Sequence, residues 1–536
     1  MRKSVQKVSM RASLLLAVGL FLSVACRLHE ATPDLGPERN HRPWQVHCET
    51  AKSHVQDPDA APGVHHPNRI WAHGEDARPI KLAGSLEDGF FVVRGLLGDA
   101  PPGEARLVPT AEWLRNRCLA TIAEHAHGEP LELGRVTAAR RHEGIDATIV
   151  FPESRVDSPV SRIVVFGDSL SDTGLLKRRL HVLPKPPYWL GRFSNGPVWV
   201  DYVEAHGRIF VQNHSYGGAA ITHHEHIPGE SLFRRLEERG QFFVSGSTGH
   251  QVDDYIEREL IDGEIQRADE TAYVFWAGAN EYISKEPVSA VITTFLNLPD
   301  HEAGYQRVAD EAIAALEDQV RRLHEAGARR YVLIDLPDLG HTPIVLQNKG
   351  YLPDEPVDSE DGRRLELARR LSKLTNYHND RLTELVQRLR RTLTDSTFLH
   401  PQTNPFLTSI FEGRPLIVAG EPLEMGFSIE PQRAKLTYGG QTRVLHHPCY
   451  DGAYLGTDEP HKVCPNEAGA LFWDVVHPTT YTHCWQAWIF EHALAAAGWT
   501  HAPEPARDRR VWCGVVSDRT LGMAESQWVF DPLELR

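Results

Sequence analysis

An α/β fold built on a parallel sheet is the architecture this 536-residue sequence predicts, on three observations. Short apolar, β-branched runs alternate with long amphipathic stretches between about residues 160 and 500. Strand followed by helix, repeated, is what parallel pairing requires. The runs end in turns of Gly, Ser, Asn and Asp, and open α/β sheets place their ligands beyond such carboxyl ends. The most informative run is Ile163-Val164-Val165-Phe166, which feeds Gly167-Asp168-Ser169-Leu170.

Residues 1–25 read as a Sec-type export signal. Arg2, Lys3, Lys7 and Arg11 precede an apolar stretch from Leu14 to Ala25, and Ser23-Val24-Ala25 supplies the small residues of a cleavage site. Cys26 follows at once and offers a lipid anchor, although Ser23 stands where a lipoprotein signal usually carries Leu. An extracellular, periplasmic or outer-membrane location is expected. Residues 26–65, rich in Pro, His and charge, read as a weakly ordered linker. A small N-terminal α+β domain is expected over residues 66–152, with strands such as Gly89–Val93 and an amphipathic helix from about Thr110 to His127. It carries no constellation of reactive side chains.

The larger domain, residues 160–500, supplies the alternation. Strands are expected at Ile163–Phe166, Ile209–Gln212, Ala272–Trp276 and Tyr331–Leu336. Helices are expected at about Gln306–Ala326, closed by Gly327, at about Arg363–Arg390, and at Trp485–Ala497, closed by Gly498. Residues 395–465, dense in Pro, Gly and Thr, read as a long insertion, and residues 501–536 as a C-terminal extension.

Composition narrows the function classes. Hydrophobic content of 41% and charged content of 24% are ordinary for a globular protein, and no interior run is long enough to span a bilayer. A formal net charge of −15, without a basic stripe, opposes nucleic acid as a partner. Beyond Cys26, the six cysteines Cys48, Cys118, Cys449, Cys464, Cys484 and Cys513 form an even set, which favours disulfides in an exported chain. Proximity along the chain pairs Cys48 with Cys118, Cys449 with Cys464, and Cys484 with Cys513; buried free thiols are the alternative. None has the Cys-x-x-Cys spacing of a zinc site.

The chemistry concentrates in four separated turns. A serine hydroxyl is a weak nucleophile at neutral pH, so Ser169 needs a general base, and the base needs a group that fixes its tautomer. The Asp474-Val475-Val476-His477-Pro478 turn can supply both, with His477 as base and Asp474 as its partner. Attack on an ester carbonyl puts charge on oxygen, which requires fixed donors. The backbone N–H groups of Ser169 and Gly218, in Gly217-Gly218-Ala219, and the side-chain amide of Asn280, in Gly278-Ala279-Asn280-Glu281-Tyr282, can be those donors. Imidazole must be neutral to take a proton, so activity is expected to fall as pH drops below about 6.5, the ordinary histidine value.

Each of these residues also has a structural reading. A Gly-Asp-Ser turn can be a strand exit, and Asp-x-x-His-Pro can be a capped helix start. Asp172 can support Ser169 or cap the helix that follows, and the cap is preferred. Asn195 can line a cleft or occupy a turn. His223, His224 and His226, with Glu225 among them, lack regular ligand spacing and read as a solvated loop rather than a metal site. Trp473 reads as packing.

The four turns, in this order, resemble those of the GDSL or SGNH hydrolases. The likeness extends to the glycerophospholipid:cholesterol acyltransferase and thermolabile haemolysin branch of secreted bacterial phospholipases. It rests on Pro186-Pro187-Tyr188, on Gly191-Arg192-Phe193-Ser194-Asn195-Gly196-Pro197-Val198-Trp199, and on Leu336-Pro337-Asp338-Leu339-Gly340. Pro448-Cys449-Tyr450-Asp451-Gly452 and Phe472 to Thr480 complete it. The resemblance implies a three-layer α/β/α sandwich with a flavodoxin-like sheet, a Ser169–His477–Asp474 triad, and no metal or organic cofactor. It implies phospholipid membranes and lysophospholipids as substrates, with cholesterol as a further acyl acceptor. It also implies a cysteine-bridged loop near the site, for which Cys449 and Cys464 are the local candidates. Their short interval departs from the branch, and activation by loop cleavage is not expected. A carbohydrate O-acetyl esterase, and a host- or membrane-binding module carrying a hydrolase, are the competing classes, since fold does not fix substrate.

Overall fold

In this computed structural model the described residues are 44–52, 69–82, 85–87, 90–92, 111–125, 131–139 and 147–149 of the leader, and most of 158–514. Within the latter span, the residues not described are 177–183, 185–186, 208, 223–245, 262–263, 266–267, 287–288, 293–300, 348–356, 358, 419–420, 424, 429, 453, 455–462, 466, 504 and 512. The expected signal, Cys26 and the His223–His226 cluster therefore lie outside the described residues.

Five parallel strands form the central sheet: β1 (Arg162–Gly167), β2 (Phe210–Asn213), β3 (Thr271–Trp276), β4 (Arg330–Leu333) and β5 (Thr397–Leu399). Their spatial order is β5-β4-β3-β1-β2, the flavodoxin-like order 2-1-3-4-5. In that order the chain leaves β1 toward one edge and returns on its other side, so a crevice opens between the carboxyl ends of β1 and β3. The α/β/α expectation is met.

Side chains alternate along each strand, so every strand feeds two cores. Ile163 and Val165 pack with α1 (Trp199–Gly207), α5 (Thr403–Phe411) and α6 (Thr480–Ala496) on one face. Val164 and Phe166, with Tyr273, Phe275 and Leu333, pack against α2 (Thr248–Glu259), α3 (His301–Glu325) and α4 (Glu360–Thr392) on the other. Burial on both faces explains why β1 reads as a continuous apolar run rather than an alternating one. Each fully buried side chain of this kind contributes about 1.5–3 kcal/mol.

The four expected strands and three expected helices are present, with α6 starting five residues before the expected Trp485. Thr479 caps α6, its hydroxyl accepting from Thr482 N–H, and Asn195 Oδ1 accepts from Thr480 N–H at 2.9 Å. Asn195 is thus a helix-capping residue, fully buried, rather than an open cleft wall. The segment read as one long insertion begins with β5, a three-residue edge strand paired to Arg330–Val332, and continues into α5. It also contains the hairpin Arg433–Tyr438 with Gln441–His446.

In the leader, Trp44–Lys52 pairs antiparallel with Arg69–Trp71 and with Leu131–Ala139, beside the helix Ala111–His125. This corrects the linker reading for residues 44–52. Composition there is polar, but Val46 and Cys48 alternate inward and are fully buried, and Cys48 is bridged to Cys118 on the helix. All three disulfides pair as expected, including Cys449–Cys464 and Cys484–Cys513. The last of these ties the C-terminal extension to α6, where buried Arg509 also donates to the Cys484 carbonyl.

Candidate active site

Ser169 sits on the turn leaving β1. Gly167 lies so close to β3 that a Cβ there would stand 2.6 Å from the Trp276 carbonyl oxygen, so only glycine permits this strand exit. Gln251 of α2 clamps the same residue, donating to its carbonyl and accepting from its N–H, both at 2.8 Å. Asp168 then forms an Asx turn, its Oδ1 accepting from Leu170 N–H at 3.0 Å.

Asp172 closes the turn. Its carboxylate accepts from the N–H groups of Gly174, Leu175 and Leu176, as the preferred capping role requires. It also accepts from Gly217 N–H at 2.7 Å, a bond between distant segments that holds the Gly217-Gly218 loop beside the nucleophile turn. Gly218 has φ 89°, a conformation that disfavours any Cβ. Among the described residues, no acceptor meets the N–H of either Ser169 or Gly218. Two donors are therefore available at this edge.

The histidine turn meets the serine across the crevice. His477 Nε2 lies 2.8 Å from Ser169 Oγ, and His477 Nδ1 lies 2.7 Å from Asp474 Oδ2. With Nδ1–H donated to the carboxylate, the lone pair on Nε2 faces the serine hydroxyl. Phe193 and Tyr454 flank the imidazole, with ring centroids 5.0 and 5.9 Å away. Asp474 is 1% exposed. Burial alone would raise its pKa, but the His477 ring, the Val476 N–H and the Tyr188 hydroxyl together hold it below the usual carboxylate range.

Asn280 follows β3 at the same edge. Its amide donates to the Ala219 carbonyl at 2.9 Å and to Asp168 Oδ2 at 3.2 Å, so both of its N–H groups have partners. The site opens into a narrow cleft of about 640 Å³, counting the part open to solvent. Its walls are apolar, including Ile283, Leu339, Leu407, Phe411, Phe472 and Val476. Trp473 lies behind the site as packing, stacked 5.4 Å from Tyr450. The Cys449–Cys464 bridge lies in the same region, with Tyr450 N–H bonded to the Trp473 carbonyl.

The sequence alone gives no role to Tyr188 or Gln251. Tyr188 was visible only as part of a Pro-Pro-Tyr motif, and Gln251 carried no signal. Among the described residues no group of three or more His, Cys, Asp or Glu side chains could hold a metal ion, and no helix is long and apolar enough to cross a membrane.

A serine, a histidine and an aspartate in one hydrogen-bonded line, at the carboxyl edge of a flavodoxin-ordered sheet, are the arrangement of a serine hydrolase. Residues 163–488 match the family model described as GDSL-like Lipase/Acylhydrolase, and the chain belongs to that family of esterase- and lipase-type hydrolases. It is similar to the phosphatidylcholine-sterol acyltransferase of Aeromonas hydrophila, 25% identical over 339 residues, covering 60% of this chain and 87% of the relative. It is also similar to the thermolabile hemolysin of Vibrio parahaemolyticus, 26% identical over 326 residues, covering 60% of this chain and 61% of that protein. A GDSL esterase/lipase of Arabidopsis thaliana is 26% identical over 341 residues, covering 59% of this chain and 82% of the relative. The first two bear out the resemblance to the acyltransferase and haemolysin branch.

Proposed function

We propose that the protein is an exported serine esterase that cleaves the acyl esters of glycerophospholipids through an acyl-Ser169 intermediate, with cholesterol as an alternative to water as acceptor. The observation that carries this reading is the Ser169–His477–Asp474 line opening directly into an apolar cleft. An acetyl group needs no such wall, whereas an alkyl chain gains from every apolar contact that removes it from water. The name of the Aeromonas relative, a phosphatidylcholine-sterol acyltransferase, supports the same substrate class.

In this mechanism Ser169 Oγ attacks the ester carbonyl carbon while His477 Nε2 takes the hydroxyl proton, and Asp474 stabilises the imidazolium. The N–H groups of Ser169 and Gly218 receive the oxyanion. Asn280 joins them by turning one amide N–H away from Asp168, the longer of its two bonds. The C–O bond then breaks, His477 returns the proton to the departing lysophospholipid alkoxide, and the acyl group stays on Ser169. Water, or a sterol hydroxyl activated by the same imidazole, attacks the acyl-serine and releases fatty acid or steryl ester.

Phosphatidylcholine vesicles with and without cholesterol, treated with the purified protein and with Ser169→Ala, test the proposal by lipid mass spectrometry. Lysophospholipid and fatty acid should appear only with the intact serine, and cholesteryl ester only when cholesterol is present. Inert vesicles combined with rapid deacetylation of acetylated xylan would replace this reading with a carbohydrate esterase.

A further inference from the structure

Tyr188 takes no part in the steps above, yet it is tied to them. Its side chain is 1% exposed and its hydroxyl donates to Asp474 Oδ2 at 2.7 Å, across 286 residues of sequence. The rings of Phe193, Tyr450, Tyr454 and Trp473 enclose it, with centroids 5.5 to 6.2 Å away. The bond falls on the oxygen that also receives His477 Nδ1–H, while Oδ1 accepts from the N–H groups of Val476 and His477 at 2.9 and 2.8 Å. Four donors thus meet one carboxylate, two on each oxygen, which accounts for all its lone-pair sites.

We propose that Tyr188 is a positioning residue of the relay, its hydroxyl fixing Asp474 Oδ2 in line with His477 and drawing charge from that oxygen. This rests on the acyl-serine reading. A buried phenol needs an acceptor, and a backbone carbonyl would satisfy it; here it takes the one oxygen that holds the catalytic imidazole. Burial, and next the negative charge of Asp474, push the Tyr188 phenol well above its usual range, so it stays a donor throughout. Without it, Oδ2 has one lone pair unfilled, more negative charge and more freedom to rotate. The carboxylate then holds a proton on the imidazole more tightly and aims it less well.

The test is Tyr188→Phe in the full chain, which keeps the ring and removes only the hydroxyl. Hydrolysis of a p-nitrophenyl ester is followed from pH 5 to 9, and reactive serine is counted with a fluorophosphonate so that rates refer to folded enzyme. The expected result is a fall in kcat of about tenfold. KM should be nearly unchanged, because Tyr188 does not line the cleft, and the acidic limb of the profile should move to higher pH. In the Asp474→Asn background the same substitution should cost little more. 3-Fluorotyrosine introduced at position 188 keeps the packing and strengthens the donor, and should move the limb to lower pH even if the Phe variant folds poorly. A Phe variant with wild-type kcat and limb, or one that loses rate with no displacement of the limb, would overturn the inference. If the intact protein fails to react with the fluorophosphonate, or Ser169→Ala still hydrolyses ester, the acyl-serine reading itself falls.

Discussion

Replacing Asp474 by Asn changes one atom and tests the whole relay. The Asn side chain must choose between two orientations. If its carbonyl oxygen faces His477 Nδ1–H, its NH2 meets the N–H groups of Val476 and His477, which Asp474 Oδ1 now accepts at 2.9 and 2.8 Å. Two hydrogen bonds to a charged group become two donor–donor contacts, a cost of roughly 3–6 kcal/mol at about 1.5–3 each. If the NH2 faces the imidazole instead, those backbone bonds survive, and Tyr188, whose hydroxyl can rotate, becomes the acceptor. The second orientation wins. It forces the imidazole to offer a lone pair at Nδ1 and to carry its proton on Nε2, where it can no longer accept from Ser169. The expected loss in kcat is on the order of 10⁴, about 5.5 kcal/mol, with the fold intact. Ester hydrolysis at pH 7 to 9, normalised to folded protein by circular dichroism, measures it. Activity within tenfold of wild type would refute the assignment of Asp474. The same variant reports on acid stability. Because Asp474 is held below the usual carboxylate range, the ionised group stabilises the native state above about pH 4, and that contribution disappears as pH falls through its lowered folded value. The Asn variant, which cannot titrate there, should therefore lose less stability between pH 5 and 2 than wild type does.

Gly218→Ala should lower kcat by about 10²-fold with KM little changed, because φ 89° strains an alanine and displaces the N–H proposed to receive the oxyanion. Steady-state kinetics on the same ester check this, and a loss below threefold would remove Gly218 from the donor set. Phe411→Ala should shift the preferred acyl chain to longer lengths, since Phe411 stacks on Phe472 at 5.2 Å along the cleft wall. It should also destabilise the fold by about 3–5 kcal/mol, as loss of a buried aromatic does. A chain-length series and thermal unfolding measure the two effects, and an unchanged length optimum would place the acyl chain elsewhere.

What the sequence determined by itself is local. Ile163–Phe166 with its Gly-Asp-Ser exit, the Gly217-Gly218 and Asn280 turns, and the Asp474–His477 spacing can each be read within a dozen residues, because turn chemistry and strand burial are short-range properties. The disulfide pairs were legible from cysteine order, each partner being the next cysteine along the chain. The tertiary structure decided what depends on approach between distant segments. Thr397–Leu399 is a strand only because β4 lies beside it; three residues carry no periodicity to find. Asn195 turned out to be the cap of a helix 285 residues away, and Trp44–Lys52 a strand within polar composition, held by the buried side of its alternation and a disulfide. Asn280 already spends both amide hydrogens on Asp168 and Ala219. Tyr188 acquires its role from a hydroxyl reaching Asp474 across the fold. Propensity and pattern act along the chain, whereas hydrogen bonds and packing act through space, and a site made of four separated turns needs both.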